Sequence, residues 1–133
     1  GTKLLSDSEG IFQNRNFVYM NRGWIEKNQD TAARFMKSLC EANDLINSDR
    51  PQAAKLVAKF LNMPLALATE LMPKVEYDMY WTKESLGAIK ESETLLLQRG
   101  KMKAPLDYTS YVYTDLLKAV RPEVVKITDV TPH

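Results

Sequence analysis

The residue types that carry out most enzyme chemistry are scarce in this chain. It has one cysteine, Cys40, and one histidine, His133. A zinc centre needs three or four Cys, His or acidic ligands, and a Ser-His-Asp triad needs a histidine inside the fold. Cys40 lies in a helical pattern beside Leu39 and Ala42, which predicts a small buried apolar side chain. The sequence therefore indicates no metal, no cofactor and no cysteine nucleophile.

The acidic residues do not suggest acid–base catalysis. Glu84, Glu91 and Glu93 are spaced along one predicted helix, whereas a general acid and base must converge on the same reacting group. We therefore expect a protein that is not an enzyme.

The length, charge and hydropathy of the chain argue against several further classes of protein. The chain has 133 residues, with 18 basic and 17 acidic side chains and a net charge of +1. This length fits one domain with one core. The basic residues alternate with acids, so no nucleic-acid partner is expected. No apolar run approaches the roughly 20 residues that span a membrane. The start at Gly1 without methionine is typical of a processed chain.

Prolines lie at the boundaries of the predicted helices, where proline begins a helix at little cost or prevents its continuation. Apolar residues at spacings of three and four predict five helices. These run from Asn28 to Asn47, from the Ser48-Asp49 cap to Asn62-Met63, from Pro64 to Pro73, from the Thr82 cap to Arg99 before the stop at Gly100, and from Tyr108 to Val120.

The strand signals lie mainly near the N-terminus. Lys3-Leu4-Leu5 predicts a short strand, and Phe17-Val18-Tyr19-Met20 predicts a strand that is apolar on both faces. Such a strand suits a sheet covered on two sides. Val75 to Trp81 indicates an extended segment, and Val124 to Ile127 a docking strand. The chain does not supply the rest of such a sheet, so we expect it to be part of a larger fold.

Four segments occur in the order found in the C-terminal part of type II periplasmic solute-binding proteins of ABC importers. They are GTKLLSDSEG, NFVYMNRGWIEKNQDTAARFMKSLCEANDLINS, DRPQAAKLVAKFLNMPLALATELMPKVEYD and TKESLGAIKESETLLLQRGKMKAPLDYTSYVYTDLLKAV. The chain resembles the nitrate, taurine and aliphatic-sulfonate binders and the thiamine-precursor binders. The resemblance covers residues 1–120. Asn28-Gln29 stands where the family often has His-Pro, and Trp24 where Phe is common.

The resemblance implies a helix-rich α/β fold and a partial domain spanning residues 1–133. Residues 1–20 would form the crossover from the second lobe with its return strand, and residues 21–133 the helical part of the first lobe. It also implies that the chain is a fragment, or that its missing half is on another chain, with a homodimer as a further possibility.

The implied function is the capture of a small anionic solute such as nitrate, taurine or an aliphatic sulfonate, followed by delivery to a membrane permease. The implied location is the periplasm, or the outside of a membrane with an anchor. The implied ligand-binding residues are Ser6, Ser8, Arg15 and Asn16. Hydroxyl and amide groups donate to an anion, and Arg15 can pair with it through its planar fork.

Other interpretations stay open. Ser6 to Gly10 is equally well read as a surface turn. Tyr77, Tyr80 and Trp81 can stack on a flat ligand, although large aromatic side chains more often pack in a core. The alternatives for function are a pyrimidine-precursor synthase of the same fold and an independent helical interaction domain with Leu65, Leu67 and Leu71 as its partner face.

Overall fold

The computed structural model describes residues 15–127, in which the chain forms seven α-helices. Two short 3₁₀ helices follow α4 and α7, at Met72–Lys74 and Pro122–Val124. The α-helices are α1 (Arg22–Lys27), α2 (Gln29–Ser48), α3 (Arg50–Leu61), α4 (Leu65–Leu71), α5 (Lys83–Gln98), α6 (Tyr108–Tyr111) and α7 (Asp115–Val120).

The expected α/β fold is wrong for the described residues, because they contain no strand and no sheet. The predicted return strand Phe17–Met20 has no backbone hydrogen-bonded partner among them. Its side chains are also largely in solvent, with Val18 50% and Tyr19 86% exposed. A strand forms only where a second backbone pairs with it, and residues 15–127 provide none for this segment. The predicted strand at Lys3–Leu5 lies outside the described residues.

The extended segment before α5 makes one strand-like contact. Trp81 forms an isolated parallel bridge with Val125. The Trp81 N–H donates to the Val124 carbonyl and the Lys126 N–H donates to the Trp81 carbonyl, each at 2.9 Å. The docking strand predicted at residues 124–127 is therefore reduced to a single bridge.

Most predicted helix boundaries are confirmed, because they are set by local signals. The Asp49 side chain caps α3 by accepting from the Gln52 N–H at 3.0 Å. Asn62 ends this helix in the left-handed conformation, with φ of 51°. Thr82 and Ser85 form a capping box at the start of α5, in which each side chain accepts from the other residue's backbone N–H.

The predicted fifth helix is wrong in its middle. It divides into α6 and α7, and Val112 between them has β-region dihedrals. Val112 instead packs against the core formed around Tyr108. Residues 108–114 are aromatic, β-branched or hydroxyl-bearing without exception, and all of these residue types have modest helix propensity. Packing therefore overrides the helical periodicity here.

Two clusters of buried residues form much of the core. In the first, small side chains let α3 and α4 approach closely; its buried members are Ala53, Ala54, Ala58, Ala68 and Met72. In the second, Trp81, Leu86 and Tyr108 are buried, with Phe17, Val112 and Val125 packed around them.

Arg121 attaches the C-terminal part of the described chain to α2. Its Nη2 lies 2.5 Å from Asp44 Oδ2 and donates to the Cys40 carbonyl at 3.3 Å. The Cys40 side chain is 1% exposed, and this burial raises the pKa of its thiol. Cys40 is thus the small buried side chain that the sequence predicts.

Candidate functional site

The candidate site is an open groove of about 830 Å³. One wall is α2, which contributes Leu39, Ala42, Asn43 and Ile46. The other walls are residues 15–18 and residues 74–80, of which only Lys74 belongs to a helix, the 3₁₀ helix Met72–Lys74. Ligand sites in proteins commonly have volumes of about 300–1,000 Å³, so the groove has the size of a small-molecule site or a peptide site.

Arg15 is held in the groove by Tyr80. The Arg15 Nη1 donates to the Tyr80 hydroxyl, and the guanidinium carbon lies 5.5 Å from the centre of the Tyr80 ring. A guanidinium over an aromatic ring is attracted to the negative face of that ring. Arg15 is therefore a positioned cation at the edge of the groove.

Two asparagines of α2 fasten the segment that crosses the groove. The side-chain amides of Asn43 and Asn47 both donate to the Tyr77 carbonyl, Asn47 at 2.8 Å. Asn43 is not among the residues predicted from the sequence to bind a ligand. Its signal is a polar residue that interrupts the apolar stripe of α2, flanked by Leu39 and Ile46.

Charges of both signs line the groove. Arg15 and Lys74 are the cations, and Glu76 and Asp78 are the acids. Lys74 is already paired with Glu70 on α4, at 3.0 Å between Nζ and Oε1. Glu76 and Asp78 have no hydrogen bond or ion pair with any other described residue. The groove therefore presents charges of both signs, with the Arg15 guanidinium held by Tyr80.

The structure brings together some of the predicted site residues. Arg15 and Asn16 both line the groove. Ser6 and Ser8 lie outside the described residues. Trp81 is 8% exposed and packs in the second core cluster, so its predicted packing role is confirmed.

The other two aromatic residues that were predicted to stack on a ligand lie at the groove, unlike Trp81. Tyr77 and Tyr80 both line the groove. Tyr77 also packs against the first core cluster, whereas Tyr80 holds Arg15.

Glu93 of α5 fastens a neighbouring loop. Glu93 is 8% exposed, and its carboxylate accepts from the Tyr108 hydroxyl and from the Leu106 N–H. These two bonds lower the pKa of Glu93. Burial, followed by the bond to Glu93, raises the pKa of Tyr108 to about 12. The pair fastens the loop before α6 to α5 and lies apart from the groove.

The described residues contain no cluster of His, Cys, Asp or Glu that could hold a metal ion. Within residues 15–127, every helix is too short or too polar to cross a bilayer. Comparison with protein-family models, with curated proteins and with solved structures finds no significant match to this chain.

Proposed function

We propose that this chain is part of a solute-binding protein of an ABC importer and forms one wall of its solute site. The solute is a small anion such as nitrate, taurine or an aliphatic sulfonate. The observation that carries the proposal is the position of Arg15, stacked on Tyr80 at the edge of an open groove. The order of the four sequence segments supports it through the resemblance described above.

Arg15 suits an oxyanion for a physical reason. A planar guanidinium can donate two parallel hydrogen bonds to a sulfonate, carboxylate or nitrate. The Tyr80 ring fixes the orientation of that fork, so less conformational entropy is lost when an anion binds. Asn16 is adjacent in sequence and also lines the groove, where its amide adds a neutral donor.

The groove is open, so capture requires a second wall that closes over the solute. Closure is favoured only when the solute interacts more strongly with the closed state than with the open state. The proposed cycle is capture, closure and release to a membrane permease, without a chemical reaction. The proposed location follows: the periplasm, or the outer face of a membrane with an anchor.

The test is isothermal titration calorimetry of the full chain with nitrate, taurine and ethanesulfonate. At least one of these is expected to bind saturably, and Arg15→Gln is expected to weaken it about tenfold, the effect of losing one charge-assisted pair. Arg22→Gln is the matched control, because the Arg22 guanidinium lies 5.6 Å from the Tyr113 ring and does not line the groove. Absence of binding up to about 1 mM, or equal losses in the two variants, contradicts the proposal.

A second candidate is an independent helical interaction domain. It is favoured by the exposure of large apolar side chains on α3 and α4, where Phe60 is 88% and Leu61 58% exposed. Leu65, Leu67 and Leu71 are each at least 40% exposed. Apolar patches of this kind often mark protein interfaces. A compact monomer that unfolds cooperatively in sedimentation and denaturation experiments, and binds none of the three anions, favours this candidate.

A further inference from the structure

We propose that one exposed face of α3 binds the surface of a membrane that contains anionic lipids. The face is formed by Lys55, Leu56, Lys59 and Phe60, and we name these four residues the α3 face. None of them lines the groove, so this inference does not rest on the solute proposal.

The geometry of the helix makes these four residues neighbours. In an α-helix, residues four positions apart lie on the same face, which places Leu56 beside Phe60 and Lys55 beside Lys59. The opposite side of α3 is buried, because Ala54 and Ala58 pack in the first core cluster. The helix therefore has a buried side made of small residues and a solvent side that combines apolar and basic side chains.

The apolar part of the α3 face is open to solvent. Phe60 is 88% exposed and Leu56 is 47% exposed, and Leu61, next to Phe60, is 58% exposed. The transfer of apolar side chains out of water is favourable in proportion to the apolar area that is removed. Contact of this part of α3 with an apolar phase is therefore favourable.

The basic part of the α3 face has no acidic counterpart. Residues 50–69 include Arg50, Lys55 and Lys59 but no aspartate or glutamate. Neither Lys55 nor Lys59 forms an ion pair with another described residue. In contrast, Lys37 and Lys74 each pair with a glutamate four positions away. The charge of the α3 face is therefore complementary to an anionic surface.

The combination of the two parts favours a bilayer as the partner. A basic amphipathic face binds a membrane with its apolar groups at the acyl boundary and its lysine ammonium groups among the headgroups. A nucleic acid or a free phosphate would contact the lysines without burying Phe60. A two-fold dimer through this face would bring Lys55 and Lys59 close to the same lysines of a second copy, and like charges repel.

The test is flotation of the full chain with lipid vesicles. The probe vesicles contain equal amounts of phosphatidylcholine and phosphatidylglycerol, and the control vesicles contain phosphatidylcholine alone. The chain is expected to bind the anionic vesicles at least about tenfold more tightly, because each lysine near an anionic surface contributes about fivefold.

Matched substitutions test the apolar part of the face. Phe60→Ser is expected to weaken binding to the anionic vesicles at least about tenfold, since a phenylalanine side chain is no longer removed from water. Phe60→Trp is expected to retain binding, because tryptophan is favoured at the membrane interface. Tyr19→Ser is the control, because Tyr19 is 86% exposed and lies outside α3, and it is expected to leave binding unchanged.

A second pair of variants tests the basic part. Lys55→Gln combined with Lys59→Gln is expected to weaken binding to the anionic vesicles about 25-fold. Lys101→Gln combined with Lys103→Gln changes the net charge equally at two other exposed lysines and is expected to bind like the parent chain. All the variants are expected to keep the parent's circular dichroism spectrum, because the substituted side chains are exposed.

Five outcomes overturn the proposal. The first three are the absence of vesicle binding, equal binding to the two kinds of vesicle, and equal losses in a variant and its matched control. The fourth is a dimer in light scattering that Phe60→Ser dissociates, which assigns the face to a second copy. The fifth is tighter binding to soluble polyglutamate than to the vesicles, lost in the same variants, which assigns the face to an acidic protein partner.

Discussion

Replacing Leu86 by alanine is expected to destabilise the second core cluster strongly. Leu86 is 8% exposed and packs with Trp81 and Tyr108. The substitution removes three carbon atoms, each worth about 0.8 kcal/mol when buried, and leaves a cavity whose cost raises the total to about 3 kcal/mol. For a domain of this size, 1 kcal/mol corresponds to about 4 °C in melting temperature. We therefore expect a decrease of about 12 °C.

The control is the same substitution at Leu95, on the same helix. Leu95 is 47% exposed, so only about half of its side chain is removed from water on folding. The substitution is therefore expected to cost about 1 kcal/mol. Urea denaturation followed by circular dichroism gives both free energies of unfolding, and similar m values in the two variants permit a direct comparison. Equal costs at Leu86 and Leu95 refute the assignment of the second cluster to the core.

Three further predictions concern stability. Because its hydrogen bonds lower the pKa of Glu93 in the folded state, they stabilise the fold above the ordinary carboxyl pKa, and this stabilisation disappears as pH falls through the lowered value. Glu93→Gln should therefore reduce stability at neutral pH and flatten the dependence of the urea midpoint on pH between about 2 and 5, whereas exposed Glu91→Gln should change neither. Asn62→Ala is expected to cost about 1 kcal/mol in urea denaturation, because alanine is strained at a φ of 51°; Asn62→Gly should stay near the wild-type value, and equal losses contradict the left-handed cap. Gly87→Ala is expected to raise stability by about 0.5–1 kcal/mol in thermal melts, since an added Cβ meets no atom within 4 Å; a loss shows that the site is crowded.

The helices could be predicted from the sequence because their signals are local. The Asp49 cap, Pro51 in the first turn of α3 and the Thr82 cap of α5 each act through residues a few positions away. Such signals operate wherever the segment lies in the fold. The buried state of Cys40 follows in the same way from its place in the apolar stripe of α2.

The candidate site could be predicted only in part. Arg15 and Asn16 line the groove as expected, but their partners come from distant parts of the chain. Tyr80 is 65 positions from Arg15, and Asn43 is 34 positions from Tyr77. No local periodicity encodes such pairs, so the sequence indicated these residue types without indicating their contacts.

The sequence by itself determined where most helices begin and end. Only the tertiary structure decided that Phe17–Met20 pairs with no strand within residues 15–127 and that residues 108–120 form two short helices. The physical reason is that capping and proline effects act within one turn of helix. Strand pairing instead requires a second backbone, and the backbone conformation of residues 111–114 depends on the core against which Val112 packs.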